Sequence, residues 1–507
     1  MMNNIIQYLE NSAKLYPEKI AFFTQDDSIS YANLLEKSKH IASFLLYHNT
    51  KPNSIVAIYM NKNIDCIAIM FGCAMARVAY AFIDIDHPKN RINQMLDIIE
   101  PELIFTNAMF FDDISRISNK MVIDIAKALN CEIQNENLKK IQNQYQPYDI
   151  LDVIFTSGST GVPKAIVKTH SNVLYFISVF VDEFGFLSDD IFANQAPFDF
   201  DVSIKDIYSA VCVGASVFLI EKRLFASPVK LVELLVEYKV SILIWAVSAL
   251  TLLSSFRVFK YCIPLNIKKI FFSGEIMPLN QLDIWQKNLP QVEFINLYGP
   301  SEITCNCTFY RIKDNRCLKY ENIPIGNAFS GQKVFLLAFD DDGNPYEVKG
   351  KDEIGEICVS GPNIALGYYK DIKRTNEVFV QNPLNSKYYE RIYKTGDMGK
   401  YNNHGELVFQ GRRDFQIKHL GRRIELSDIE IAAMNIKGVE LACAIYESGK
   451  IYLFYKGIHG IDSLARYLKK QLISYMLPSI FVKLENLPLN KNGKIDRVQL
   501  KEKICEK

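Results

Sequence analysis

Apolar positions along this chain alternate between two rhythms. Short apolar runs read as buried strands, and stretches with apolar residues three and four apart read as helices. Residues 5 to 50 predict amphipathic helices flanking a short strand at Ile20 to Phe23. Leu34, Leu35, Ile41, Leu45 and Leu46 give Tyr31 to Leu46 its helical stripe. Val56 to Met60 then reads as strand, Ile64 to Val78 as apolar helix, Ala79 to Asp84 as strand and Asn90 to Glu100 as helix. Leu103 to Thr106 and Ile150 to Ile154 continue as strands, while Asn119 to Tyr148 is polar and reads as a surface excursion. The alternation resumes with a helix from His170 to Phe184, a strand from Ile191 to Pro197 and a helix entered after Phe198. It runs on through Ser216 to Ile220, Leu231 to Glu237, Ile242 to Trp245, Lys269 to Phe272 and the strand ending near Leu297. Strand–helix alternation of this kind predicts mostly parallel sheets covered by helices on both faces.

From about residue 320 the rhythm changes. Gln332 to Phe339, Gly355 to Val359 and Glu406 to Gln410 are short strands among glycine-rich turns, a small β-lobe. A boundary falls at the charged Gly411 to Asp414. The expected division is a large α/β N-terminal domain over residues 1–411, followed by a small α+β domain over 412–507. The tail has its own pattern at Ile429 to Asn435, Leu441 to Tyr446, Lys450 to Tyr455 and Leu464 to Leu472.

The 507 residues are too many for one hydrophobic core. With 49% hydrophobic and 23% charged residues the composition is globular. A net charge of +1 offers no field to draw nucleic acid or an anionic membrane, so neither is an expected partner. The 11 cysteines are scattered, and Cys305-x-Cys307 has no second pair to complete a zinc site, so free thiols in a reducing compartment are expected. Met1 to Glu10 lacks the basic start and long apolar core of a signal peptide. The longest uncharged run, Val240 to Phe256, is short for a membrane span and reads as a strand running into a core helix. Cytoplasmic location is the resulting expectation.

The candidate chemistry begins after the strand at Ile150. Thr156-Ser157-Gly158-Ser159-Thr160-Gly161-Val162-Pro163-Lys164 combines hydroxyl donors, small residues and a cation. Such a loop can fold its N–H groups around one anion. It lacks the Walker spacing, and on residue types alone a plain Ser/Gly-rich surface loop fits equally. Further on, Asn296 and Tyr298-Gly299-Pro300-Ser301-Glu302 close a strand with an amide, an aromatic face and a carboxylate. Tyr393-Lys394-Thr395-Gly396-Asp397 offers a carboxylate able to accept from two hydroxyls. Leu487 to Arg497 holds Lys494 just after an Asn-Gly turn.

In order and wording these segments resemble the motifs of adenylate-forming enzymes, the superfamily of acyl-CoA synthetases, luciferases and amino-acid adenylation domains. The resemblance spans nearly the whole chain, from Tyr31 to Lys494. It implies ATP and Mg2+ as co-substrate and cofactor. Thr156, Ser157, Gly158, Ser159, Thr160, Gly161 and Lys164 would cradle phosphate. Tyr298 would stack on adenine beside Asn296, Gly299 and Ser301, and Glu302 would help bind magnesium. Asp397 would grip the ribose, with Phe409 and Arg412 nearby; the family often has Tyr where Phe409 stands. Asp414 falls on the hinge about which the family's small C-terminal domain moves. Lys494 matches the lysine that bridges the substrate carboxylate and the α-phosphate, so the implied catalytic set is Lys494, Glu302 and Thr156.

Within the superfamily the chain is most similar to stand-alone amino-acid adenylation domains of the nonribosomal peptide synthetase type. Asp201 falls where those domains place the carboxylate that pairs with the substrate's α-ammonium, a residue that fatty acyl-CoA synthetases lack. The same register implies a pocket of Val202, Lys205, Trp245, Phe271, Ser273, Gly274, Leu297, Cys305 and Asn306. Trp245 and Phe271 would shorten it. A buried Lys205 needs a partner, and two outcomes stay open: a substrate carboxylate or hydroxyl, or a stem that carries the ammonium to solvent. Asn194 to Phe198 and Phe272 to Glu275 resemble D-alanine–carrier protein ligases, from which Lys205 and Trp245 depart.

The implied activity is ATP-dependent activation of a short amino acid, neutral or acidic, as its adenylate, followed by transfer to a phosphopantetheine thiol. Residues 495–507 hold no Gly-Gly-x-Ser pantetheine site, so the expected acceptor is a separate carrier protein. A rival is an acyl-CoA synthetase for a small carboxylic acid. A rival of another class is a nucleotide-binding regulatory protein without turnover.

Overall fold

The computed structural model describes residues 4–156, 162–312, 322–351, 353–412, 416–488 and 495–505. The sequence-predicted Ser157, Gly158, Ser159, Thr160, Gly161, Asp414 and Lys494 lie outside these residues. The chain divides into two compact units. One comprises Met1–Ile85, Ile98–Ile154 and Ala165–Arg413; the other comprises Asp86–Asp97, Phe155–Lys164 and Asp414–Lys507.

The first unit carries two large sheets built as the strand–helix rhythm predicts. In the nine-stranded sheet, Glu293–Tyr298, Lys269–Ser273, Ile242–Ala246, Ile191–Asn194, Ser216–Leu219 and Ile20–Phe23 follow one another in space. All of these neighbours pair in parallel. Antiparallel strands Thr308–Arg311 and Ser28–Ser30 flank them. In the seven-stranded sheet the order runs Gly367–Tyr368, Lys164–Thr169, Ile150–Thr156, Ala79–Phe82, Ile55–Ile58, Leu103–Thr106 and Met121–Asp124. Strands buried on both faces are near-continuously apolar, as in Ile55–Ile58 and Leu103–Thr106. Helix Ile64–Met75 is buried all round except at Asp65, and Asn63 starts it by accepting from the Cys66 N–H at 3.0 Å.

Residues 119 to 148 are not the plain surface excursion that their polarity predicts. They form the edge strand Met121–Asp124 and helices Ile125–Leu129 and Asn135–Gln142. The pattern hides because an edge strand is half exposed and the second helix buries only Leu138. Asp124 ends the strand and caps the following helix through Ala126 N–H. The expected β-lobe is a six-stranded antiparallel sheet, Pro345–Glu347 to Leu407–Arg412, with its own apolar core around Leu336, Ile357 and Val359.

The second unit holds the hairpin Gln416–His419 and Arg422–Glu425 and a three-stranded sheet of Val439–Glu447, Lys450–Gly457 and Ile480–Lys483. Helices Leu426–Met434 and Ile461–Leu468 pack their apolar residues with that sheet in one cluster. Among the described residues no helix is long and apolar enough to cross a membrane.

Candidate active site

The strand Glu293–Tyr298 delivers its last residue beside the β-lobe. The Tyr298 phenol donates to Asp397 Oδ2 at 2.6 Å. Burial, then the facing Asp397 carboxylate, pushes the phenol well above its usual pKa, so it stays protonated and donates. Asp397 and Arg412 are direct partners on the antiparallel strands Arg391–Tyr401 and Leu407–Arg412, and their side chains form an ion pair. Arg412 also donates to the Thr395 carbonyl at 3.1 Å. The Phe409 ring lies 6.5 Å from the Tyr298 ring, centroid to centroid. Asn296 is already engaged: its amide donates to the Pro324 carbonyl at 2.8 Å. These residues bring together an aromatic face, a carboxylate and a guanidinium, a set suited to a base and a ribose.

Glu302 sits on the short turn Ser301–Ile303 with no exposed surface. Tyr368 donates to its Oε1 at 2.9 Å and fixes its orientation. Tyr368 stands on Gly367–Tyr368, paired with Ile166 on the strand that follows the glycine-rich loop. A hard carboxylate oxygen fits magnesium, which typically takes one or two protein carboxylates and completes its shell with phosphate and water. Among the described residues there is no cluster of three or more metal-binding side chains, so Glu302 would act with substrate oxygens. In the second unit, Thr156 Oγ1 is buried without a hydrogen-bond partner among the described residues, as a donor awaiting an oxyanion would be. Lys164 lies 3.6 Å from Glu425 in that unit.

The acid-binding candidates converge on a buried polar floor. Asp201 immediately precedes helix Val202–Val213. Lys168, with no exposed surface, places its ammonium 3.6 Å from Asp201 Oδ2. Asp152 is also buried, and neither of its oxygens has a hydrogen-bond partner among the described residues. One helical turn into the helix, Lys205 donates to Asn306 Oδ1 at 2.8 Å. It is 1% exposed, so the stem does not carry its ammonium to solvent. Burial lowers the Lys205 pKa despite nearby Cys305 and Asp201. For Lys168, burial works the same way, but Asp201 and Asp152 outweigh it and hold the pKa above the usual lysine value. Burial lifts Asp152 to about 6, with Lys168 limiting the rise.

Cys305 and Asn306 reach this floor on a strained turn. Thr304 and Cys305 have φ of 47° and 72°, left-handed values that are uncommon for side-chain-bearing residues, most of all a β-branched one. The Cys305 thiol meets the Asp201 carbonyl at 3.1 Å. Gly299 allows the approach: a Cβ there would stand 2.5 Å from Asn306 Cα and 2.8 Å from the Cys305 carbonyl oxygen.

The wall differs from expectation at Trp245. In the parallel register Ile244 pairs Phe271 and Trp245 pairs Phe272. Side chains alternate along a strand, so Trp245 and Phe271 project from opposite faces. Phe271 joins Leu297 and Cys305 in one core cluster, whereas Trp245 joins Phe272 in another and donates its indole N–H to the Ala193 carbonyl. Trp245 therefore stands on the face of the sheet opposite Phe271, away from the Asp201 side expected for it. Ala246, paired with Ser273, is the neighbour on the Phe271 face. Phe271 stands on that face, packed against Phe184, Phe180 and Phe186 at 4.6, 5.5 and 5.8 Å. Val202 opens the helix after Asp201, and Gly274, at φ 96°, makes the turn after Ser273.

Sequence reasoning passed over Lys168, Asp152 and Tyr368. A signal existed for two of them: each is a charge within an apolar strand run, Ile150–Thr156 and Lys164–Thr169, where burial demands a partner. Lys62 was missed as well. It donates to Asn194, both carbonyl and side chain, at 3.1 Å, and burial lowers its pKa to about 7.

The model for AMP-binding enzymes matches residues 9–369. Gramicidin S synthase 2 of Brevibacillus brevis is 30% identical over 98% of this chain, which spans only 11% of that protein. A D-alanine–D-alanyl carrier protein ligase of Staphylococcus epidermidis is 29% identical over 99% of this chain and 100% of its own length. In three dimensions the chain resembles the Vibrio cholerae adenylation domain AlmE, solved with glycyl-adenosine-5'-phosphate, with a TM-score of 0.86 at 19% identity over 100% of this chain and 98% of that one. The chain belongs to the AMP-binding enzymes, the adenylate-forming superfamily.

Proposed function

We propose that this enzyme activates a short amino acid with ATP and transfers it to the phosphopantetheine thiol of a separate carrier protein. The substrate carboxylate attacks the α-phosphorus, the bond to the β-phosphate oxygen breaks and pyrophosphate leaves. The thiol then attacks the acyl carbon of the mixed anhydride, giving a thioester and AMP. Splitting the transfer makes a poor electrophile reactive before the thiol arrives.

The observation that carries this reading is Asp201, a buried carboxylate at the helix start, closed over by the Cys305–Asn306 turn. It suits an α-ammonium. Phe271 is packed against Phe184 at 4.6 Å, and a wall of bulky rings suits a short side chain. Lys205, buried and needing an anionic or hydroxyl partner beyond Asn306, suits a side chain ending in a carboxylate or hydroxyl.

In this reading Tyr298, Asp397, Arg412 and Phe409 receive the nucleoside, and Asn296 borders it. Thr156, Lys164 and the loop between them receive phosphate. Magnesium held by Glu302 would neutralise phosphate charge when bound. Lys494 offsets charge on the pentavalent phosphorus, and residues 412–507 form the domain that carries it about Asp414, leaving 1–411 to bind ATP and amino acid.

The test is thioester formation. Loading of a phosphopantetheinylated carrier protein with a radiolabelled amino acid supports the reading. Efficient acyl transfer from a plain carboxylic acid to coenzyme A would replace it with an acyl-CoA synthetase.

A further inference from the structure

The buried floor holds a second lysine and a second aspartate that the proposed activity does not use. Lys168 and Asp152 stand on the strands Lys164–Thr169 and Ile150–Thr156, adjacent in the seven-stranded sheet. Neither has a hydrogen-bond partner among the described residues, and both are essentially without exposed surface. A buried ammonium and two buried carboxylates are costly to keep unless each compensates another. The groups facing Asp201 are Lys168 from one strand, Asp152 from the adjacent strand, Lys205 from the helix and Cys305 from the turn. Tyr80 and Tyr208, joined phenol to phenol at 2.9 Å, border Asp152.

Charge accounting separates the roles. Lys168 alone beside Asp201 would neutralise it and compete with an incoming ammonium. With Asp152 on the adjacent strand, Lys168 has a second anion to balance, and Asp201 is held in place by a cation that it does not engage alone. We propose that Lys168, balanced by Asp152, is a positioning residue that holds the Asp201 carboxylate aimed at the substrate's ammonium. This rests on the amino-acid reading above.

The experiment is a double-mutant cycle on the full chain, using the amino acid that best drives ATP–pyrophosphate exchange. Lys168→Met leaves two buried carboxylates without their cation; Asp152→Asn leaves Lys168 free to bind Asp201 alone. Each is expected to raise the KM for the amino acid about tenfold or more while the KM for ATP stays put. The double variant restores the charge balance, so its amino-acid KM should fall between the wild type and the single variants. A merely structural pair would raise the KM for ATP along with the KM for the amino acid.

Additive effects, or equal rises in both KM values, would overturn the proposal. Should either single variant fail to fold, the charge-balanced double variant decides: an amino-acid KM raised severalfold at unchanged ATP KM supports it, and an unchanged amino-acid KM overturns it. A wild-type enzyme that exchanges only with acids lacking an amine would overturn the parent reading too, since Lys168 would then stand in for the ammonium.

Discussion

The Tyr298 phenol donates to the Asp397 carboxylate at 2.6 Å, joining the last residue of a parallel strand to a β-lobe strand 99 positions later. The bond couples the aromatic face proposed for the base to the carboxylate proposed for the ribose. Asp397→Asn removes the charged acceptor that Tyr298 and Arg412 share. Hydrogen bonds to a charged group contribute about 1.5–3 kcal/mol, so the KM for ATP should rise roughly tenfold to a hundredfold. The KM for the amino acid should not follow; parallel steady-state titrations of both substrates check this.

Gly299 is required by the close backbone of the turn it faces. In Gly299→Ala the new Cβ would meet Asn306 Cα at 2.5 Å, and a backbone atom cannot rotate away. The turn carrying Cys305 and Asn306 must shift, and Lys205 loses its acceptor. A loss of roughly 1–3 kcal/mol in stability is expected, with a larger loss in amino-acid activation than in ATP affinity. A thermal melt and a substrate titration measure both.

Phe271 and Trp245 should separate cleanly. Phe271→Ala removes a buried ring from a phenylalanine cluster, at a cost of about 3–5 kcal/mol, and should let longer amino acids drive exchange. Trp245→Phe should lower the melting temperature but leave the order of substrates unchanged. A reordered panel for Trp245→Phe would put its indole back in the pocket.

His170 makes the fold sensitive to acid. It is buried, with its Nδ1 accepting from the Ile5 N–H at 3.2 Å, and burial lowers its pKa from 6.5 to about 4. Between those values the unfolded chain binds a proton that the folded chain refuses. Stability should therefore fall as pH drops from about 6.5 to about 4, by up to ~3 kcal/mol from this residue. A His170→Gln variant should show a shallower decline in melting temperature across that window.

The α/β architecture was legible in the sequence because parallel strands such as Ile55–Ile58 are uniformly apolar and the helices between them are periodic. Asp201 and Lys205 were legible because Asp206-Ile207-Tyr208 resembles the acidic–apolar–aromatic ending found in adenylation domains, which sets the register of the residues before it. Trp245 was misjudged because a contiguous apolar run, Ile242 to Trp245, does not show which residues share a face. Only pairing with Lys269–Ser273 sets that. Lys168 escaped notice because its ion pair joins a strand to Asp201 before a later helix, which no local pattern shows, and residues 119 to 148 hid their strand because an edge needs few apolar residues.

Amino-acid-dependent exchange of labelled pyrophosphate into ATP tests the central claim most directly. The panel holds the common L- and D-amino acids, β-alanine and simple carboxylic acids. The account predicts exchange with a short amino acid and none with the matching acid that lacks the amine. Exchange with amine-free acids alone would contradict it, and so would the absence of exchange with every member of the panel.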